Sequence, residues 1–223
     1  MVIVETPPGF QGLREDLPLT MYERNLPHWR QEGATYFVTF RLGDSVPAHQ
    51  QEELRVMKND WLQDNLPPHD KGQKEELSRL LTSKQENWLD AGYGSCVLAS
   101  IQGQELTRRA LQFFDDERYE LVSYVVMPNH GHCIVRPHSG WSLERTIQSW
   151  KRRVSRELGK FDEQHSGSIW FEESFDRIIR DGHHLWECVN YIGRNPTKVR
   201  LSSKQYELWL RPSWEKRGWR FPE

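Results

Sequence analysis

The stretch Tyr124-Val125-Val126-Met127-Pro128-Asn129-His130-Gly131-His132-Cys133-Ile134-Val135 decides how the rest of the chain is read. Strand-forming residues lie on both sides of Pro128-Asn129, so Arg118 to Val126 and Gly131 to Arg136 are expected as two strands, with the proline bending the ladder between them. Alternate residues of a strand point to one face, and His130 and His132 therefore present two imidazoles side by side. That geometry suits one divalent metal ion. The spacing alone is weak, because a metal needs a third protein ligand or several waters, and no third His or Cys stands at a spacing that would make a zinc hydrolase convincing.

Downstream, Val189-Asn190-Tyr191-Ile192-Gly193-Arg194-Asn195-Pro196-Thr197-Lys198 supplies what the pair lacks. Asp181 is a suitable cap for a helix in which Leu185, Cys188, Val189 and Ile192 face the core, leaving Tyr191 at the edge of the buried face. Residues four apart lie one above the other, so Tyr191 and Asn195 put a phenol and a carboxamide on one side. Pro196 disfavours helical geometry at Asn195, and the helix is expected to end there. Asn195 is the candidate third metal ligand, since a neutral oxygen suits a hard ion that must also hold a phosphate. A phenol with its ordinary pKa of about 10 is a poor nucleophile at neutral pH unless something accepts its proton. Imidazole pair, phenol and phosphate-polarising ion together read as tyrosine-dependent cleavage of a phosphodiester, with Arg194 or Lys198 placed to hold a neighbouring phosphate.

The surrounding elements give the fold. Ala34 to Leu42 is rich in aromatic and β-branched residues and stops at Gly43-Asp44, a first strand. From Pro47 to about Asp90 the pattern is helical and broken at Leu66-Pro67-Pro68, giving two helices: Leu54, Met57 and Trp61, then Leu77, Leu80, Leu81 and Trp88, recur at helical spacing. Glu105 to Phe114 is a further helix. Ile169 to Phe171 with Ser174 to Arg180 reads as a strand pair or one long bulged strand. The order strand, helices, strand, strand, helix, strand, helix corresponds to an α+β, β-α-β-β-α-β ferredoxin-like plan. It predicts an antiparallel sheet with helices on one face, an inserted helical arm and a C-terminal tail. The expected division is an N-terminal arm over 1–33, a catalytic domain over 34–201 with the helical insertion at 46–90, and a tail over 202–223.

Trp141 to Lys160 is the clearest helix: Ser142 caps it, and Leu143, Ile147, Trp150, Val154 and Leu158 form a single apolar stripe. The other side carries Arg145, Arg152 and Arg156, bordered by Lys151 and Arg153. Such cations are either a solvated face or, beside a phosphodiester site, a track for backbone phosphates. In the tail, Trp209, Trp214 and Trp219 alternate with Arg211, Lys216, Arg217 and Arg220; this suits single-stranded bases, or equally a segment folded back with its indoles on the core.

Composition bounds the partners. The net charge is -2, but residues 1–140 carry 14 Lys+Arg against 20 Asp+Glu and residues 141–223 carry 16 against 12, so the halves differ in sign (-6 and +4). A nucleic-acid surface is thus expected in the C-terminal part. Cys96, Cys133 and Cys188 are odd in number and form no CxxC pair, which fits a reducing interior rather than a disulfide framework. No apolar run approaches the roughly 18 residues a membrane span needs, and the expected location is cytoplasmic, at the nucleoid.

Taken together, Met127-Pro128-Asn129-His130-Gly131-His132 and Tyr191-Ile192-Gly193-Arg194-Asn195-Pro196-Thr197-Lys198 resemble the REP-associated tyrosine transposases, a branch of the single-tyrosine HUH transposases. Leu89-Asp90-Ala91-Gly92-Tyr93-Gly94-Ser95-Cys96, Arg118-Tyr119 and Phe175-Asp176-Arg177-Ile178-Ile179-Arg180-Asp181 extend the likeness over roughly residues 34 to 201. The resemblance implies a ferredoxin-like domain that binds single-stranded DNA with hairpins from repetitive extragenic palindromes, as a monomer or a homodimer. His130 and His132 would hold Mg²⁺ or Mn²⁺ with Asn195. Tyr191 would attack a DNA phosphate, giving a 5′-phosphotyrosine link and a free 3′-hydroxyl that can later rejoin. Two departures stand out: the residue between the histidines is usually bulky and apolar in that family, whereas Gly131 is expected to loosen the strand around His130, and the tail after Leu201 has no pattern that matches the family. The alternative reading that follows is a catalytically impaired binder of single-stranded or hairpin DNA.

Overall fold

The computed structural model describes residues 5–7, 9–23, 27–161 and 169–222. The 1–33 arm is covered only in part, and the loop ending at Gly167-Ser168 lies outside the described residues. The elements are β1 (Thr20–Glu23), β2 (Pro27–Arg30), β3 (Tyr36–Arg41), α1 (Ala48–Asp64), α2 (Lys71–Asp90), α3 (Ile101–Gln112), β4 (Tyr119–Val126), β5 (His130–Pro137), α4 (Leu143–Leu158), β6 (Phe175–Ile178), α5 (Gly182–Lys198), β7 (Glu207–Leu210) and α6 (Pro212–Glu215). A five-stranded sheet runs β6-β3-β5-β4-β7 with every neighbouring pair antiparallel. Its first four strands are the ferredoxin-like set.

Strand parity sorts the side chains into two cores. Tyr36, Val38 and Phe40 of β3 and Cys133 and Val135 of β5 face α3 and α4, and the whole stripe read on α4, Leu143 to Leu158, is buried there. Trp150 Nε1 donates to Tyr119 Oη at 2.8 Å, and Tyr119 Oη donates to the Leu111 carbonyl at 2.7 Å, which locks α4, β4 and α3 together. Phe37, Val125 and Ile134 point to the other face and are covered by Leu185, Cys188, Val189 and Ile192 of α5. Helices on one face therefore holds for α3 and α4, while α5 takes the opposite face. The reason is simple: the first face is already filled, and the apolar stripe of α5 needs a second one.

Three further readings are revised. Pro196 does not stop α5 at Asn195; it sits inside the last turn, and the helix continues to Lys198. So close to the end its missing N–H removes a single helical hydrogen bond, and burial of Asn195 and Pro196 holds the geometry. The tail is part of the sheet: β7 pairs with β4, Trp209 stacks on Tyr124 with ring centroids 5.4 Å apart, and Trp214 and Trp219 are buried. The interleaved tryptophans thus serve packing. In the N-terminal arm, β1 and β2 form a hairpin, and Leu13 N–H bonds to the Ile179 carbonyl at 3.1 Å beyond the end of edge strand β6.

That hairpin is fastened by charge. His28 is held between Asp176 (Nδ1, 2.7 Å) and Glu173 (Nε2, 3.0 Å), and Arg30 bonds to Asp176 and Glu144. Burial alone would lower the His28 pKa, but the bonds to the two carboxylates outweigh it and push it up to about 9. A folded-state pKa above the unfolded one means stabilisation fully present below the ordinary histidine range and lost as pH rises through about 9. The melting temperature should accordingly fall between pH about 7 and about 10, by about 2–4 °C per kcal/mol at this chain length, and fall less in His28→Asn. Equal slopes in the two proteins would remove His28 from the account.

Candidate active site

His130 and His132 leave β5 on the α5 side, with ring centroids 4.9 Å apart and planes at 79°. Each ring is oriented through Nδ1. His130 Nδ1 meets Asn129 Oδ1 at 2.8 Å, and Asn129 Nδ2 donates to the Tyr93 carbonyl at 3.0 Å. Because that amide oxygen only accepts, the hydrogen of His130 sits on Nδ1 and the lone pair on Nε2. His132 Nδ1 meets Thr39 Oγ1 at 2.8 Å from the adjoining strand, its register partner. Burial, and then the cations around them, lower both imidazoles: His130 to about 3, with Lys198 contributing, and His132 well below the ordinary value, with His130, Arg177 and Lys198 contributing. Both are neutral at pH 7, the form in which imidazole binds a metal.

Gly131 is explained by its partner in the ladder. A Cβ at this position would lie 2.5 Å from Phe40 Cζ and 2.8 Å from Cε2. The Phe40 ring lies across the glycine and fills the space an apolar side chain would take. Gly131 remains paired with Phe40 on β3 and Val126 on β4, so the strand is not loosened and His130 is held on both sides.

The tyrosine meets the pair. Asp181 Oδ1 accepts the His184 N–H at 2.8 Å and starts α5, which brings the Tyr191 ring edge-on to His132 (centroids 5.2 Å, 81°) and to Phe37 (5.7 Å, 76°). One turn on, Asn195 is 1% exposed, and neither Oδ1 nor Nδ2 makes a hydrogen bond of good geometry, although the amide is near enough to the Tyr191 phenol to affect it. A buried amide left without partners costs about 1–3 kcal/mol, so its neighbourhood calls for a further ligand. Among the described residues no three His, Cys, Asp or Glu side chains cluster as a metal site, so a third protein ligand here would be this amide. Two imidazole lone pairs and an unpartnered carboxamide oxygen fit a divalent ion with open positions for phosphate oxygens.

Two groups of residues were not read from the sequence. Thr39 and Asn129 orient the imidazoles. Glu86 of α2 borders Tyr191, and Lys198 Nζ bridges to Asp90 Oδ2 at 2.5 Å one turn further along α2. Burial, then Glu86, raise the Tyr191 pKa above its ordinary value, so the resting phenol keeps its proton. Arg41, the register partner of His130, is buried with its guanidinium 3.5 Å over the Phe171 ring, and burial lowers its pKa to about 10. Nothing in the sequence singled out Glu86 within the polar helical insertion.

The cations are divided. Arg194 and Lys198 are on α5 beside the site, and both are exposed. Arg145, Lys151, Arg152, Arg153 and Arg156 are on α4, across the sheet, so they cannot form one continuous track with Tyr191. Lys151 Nζ donates to the Phe171 carbonyl at 2.8 Å, Arg153 lies 3.3 Å over the Phe113 ring, and Arg156 pairs with Glu157 at 3.2 Å.

Fold and site define an α+β protein whose ferredoxin-like sheet brings an imidazole pair on a central strand to a tyrosine on a helix. Residues 96–195 match the family described as Transposase IS200 like. Among curated proteins there is no match. A solved structure described as "Structure of the REP associates tyrosine transposase bound to a REP hairpin" is similar at 19% identity over 80% of this chain and 73% of that chain, with a TM-score of 0.43. No helix among the described residues is long and apolar enough to cross a membrane.

Proposed function

We propose that this protein cleaves and rejoins single-stranded DNA through a covalent bond between Tyr191 and a 5′-phosphate, in the manner of a REP-associated tyrosine transposase. The observation that supports it is the convergence on one face of the sheet of His130 and His132 from the strand with Tyr191 and Asn195 from the helix, at least 59 residues further along the chain. His130 and His132 through Nε2, and Asn195 through its amide oxygen, would hold Mg²⁺ or Mn²⁺. Such an ion would draw charge from the non-bridging oxygens of the scissile phosphate. Phe37 and His132 fix the plane of the Tyr191 ring, which limits the directions from which its oxygen can attack. Arg194 would hold a phosphate next to the one that reacts, while Lys198, expected from the sequence to do the same, is engaged by Asp90 instead. The basic side of α4 would bind the phosphates of a paired hairpin stem across the sheet, positioning the DNA without selecting the cut.

The alternative, a binder without chemistry, drew on Gly131 and on the unmatched tail after Leu201; the packing of Phe40 on that glycine favours the cleaving reading. The test uses the full chain with Mn²⁺ and a single-stranded oligonucleotide carrying a palindromic hairpin. A covalent protein–DNA adduct resistant to denaturing electrophoresis is expected, and none in Tyr191→Phe. Affinity without an adduct at any divalent metal would overturn the proposal, as would an adduct that survives the tyrosine substitution.

A further inference from the structure

We propose that Glu86, on the inserted helix α2, accepts the proton of Tyr191 when the phenol attacks. The inference rests on the strand-transfer reading above and names a reacting group which that reading leaves open.

The geometry comes from one ion pair between α2 and α5 and from a cavity that both helices line. The Lys198–Asp90 ion pair at 2.5 Å ties α2 to α5, Asp90 lying one turn beyond Glu86 and Lys198 two turns beyond Tyr191. Glu86 and Tyr191 line the same cavity of about 340 Å³, which also carries Arg79, Arg177 and Arg180. Tyr191 and Glu86 thus share one chamber with cations able to receive a phosphate, and the carboxyl is close enough to perturb the phenol though not in full hydrogen-bond geometry. Such contacts commonly tighten once substrate is bound.

Two other carboxylates of this neighbourhood are already committed. Asp90 is engaged by Lys198, and Asp176, on the same cavity wall, by His28 and Arg30. The two histidines use Nδ1 on Thr39 and Asn129 and keep Nε2 for the metal. The groups facing Glu86 are Tyr191 and Lys198 from α5, Arg177 from β6, Asp90 from α2 itself, and Thr39, Arg41 and Glu173 around the small cavity beneath the helix. Burial raises the proton affinity of Glu86 above that of an ordinary carboxyl, while Tyr191, Arg177 and Lys198 oppose it.

The phenol proton moves to the Glu86 carboxylate as the phenolic oxygen bonds to phosphorus; the P–O3′ bond breaks, its electron pair leaves with the 3′-oxygen, and that oxygen takes a proton from water. On rejoining, a 3′-hydroxyl gives its proton to water and attacks, and Glu86 returns its proton to the departing phenolate.

The experiment measures the single-turnover rate of adduct formation by the full chain with Mn²⁺ and saturating hairpin oligonucleotide. Glu86→Gln is expected to slow it by about 10²–10⁴-fold with unchanged oligonucleotide affinity, the affinity being measured in the Tyr191→Phe background. Glu86→Asp should keep part of the rate, and added formate should restore part of the rate of Glu86→Ala, a rescue that a purely structural role does not give. An undiminished rate in Glu86→Gln overturns the proposal, as does equal loss in all three variants with no response to formate. A wild-type chain that forms no adduct overturns the underlying reading as well; a wild-type adduct with indifference to Glu86 overturns this inference alone.

Discussion

His132→Ala is expected to reduce adduct formation by about 10³-fold or more, while the conservative Thr39→Val costs about 10–100-fold. The difference follows from where each residue acts. His132 would supply a metal lone pair, and loss of several kcal/mol of transition-state charge stabilisation corresponds to that factor at about 1.4 kcal/mol per decade. Thr39 only fixes the His132 ring through its hydroxyl at 2.8 Å, so its loss frees the ring without removing a ligand. Mn²⁺ affinity, measured by electron paramagnetic resonance, should fall in the same order, and circular dichroism should show both variants folded. Equal Mn²⁺ binding by wild type and His132→Ala would separate the imidazole pair from any metal.

Enlarging Gly131 should be the most damaging small change to the sheet. Gly131→Val places its Cβ within 2.5 Å of the Phe40 ring, and overpacking of this kind costs about 1–3 kcal/mol. Phe40→Ala removes a buried aromatic side chain and should cost about 3–5 kcal/mol on its own. Combined, the two changes should cost clearly less than their sum, because the new valine occupies part of the volume the phenylalanine vacates. Urea unfolding of the four proteins measures this. Additivity within about 0.5 kcal/mol would show that the ring and the glycine do not compensate each other.

That glycine also shows where reading the chain stops. From the sequence it was a gap between two histidines; in the fold it is the half of a pair whose other half, Phe40, stands 91 residues earlier. Likewise Pro196 was a sound local reason to end a helix, overruled by the burial of the turn that contains it. The tail gave no readable strand pattern because Glu207 to Leu210 is a strand only by virtue of the ladder offered by β4.

The sequence by itself determined the elements whose signals are local: the buried stripe of α4, the parity that puts His130 and His132 on one side of β5, the one-turn relation of Tyr191 to Asn195, and the order of strands and helices that makes the plan ferredoxin-like. Only the tertiary structure decided that α5 crosses to the face opposite α3 and α4, that the cations of α4 are thereby kept from the tyrosine, and that α2 brings Glu86 to it. Periodicity within one segment records which side of that segment is apolar. Which partner covers that side depends on contacts between residues far apart in the chain, and these are settled by the competition of all the segments for the two faces of one sheet.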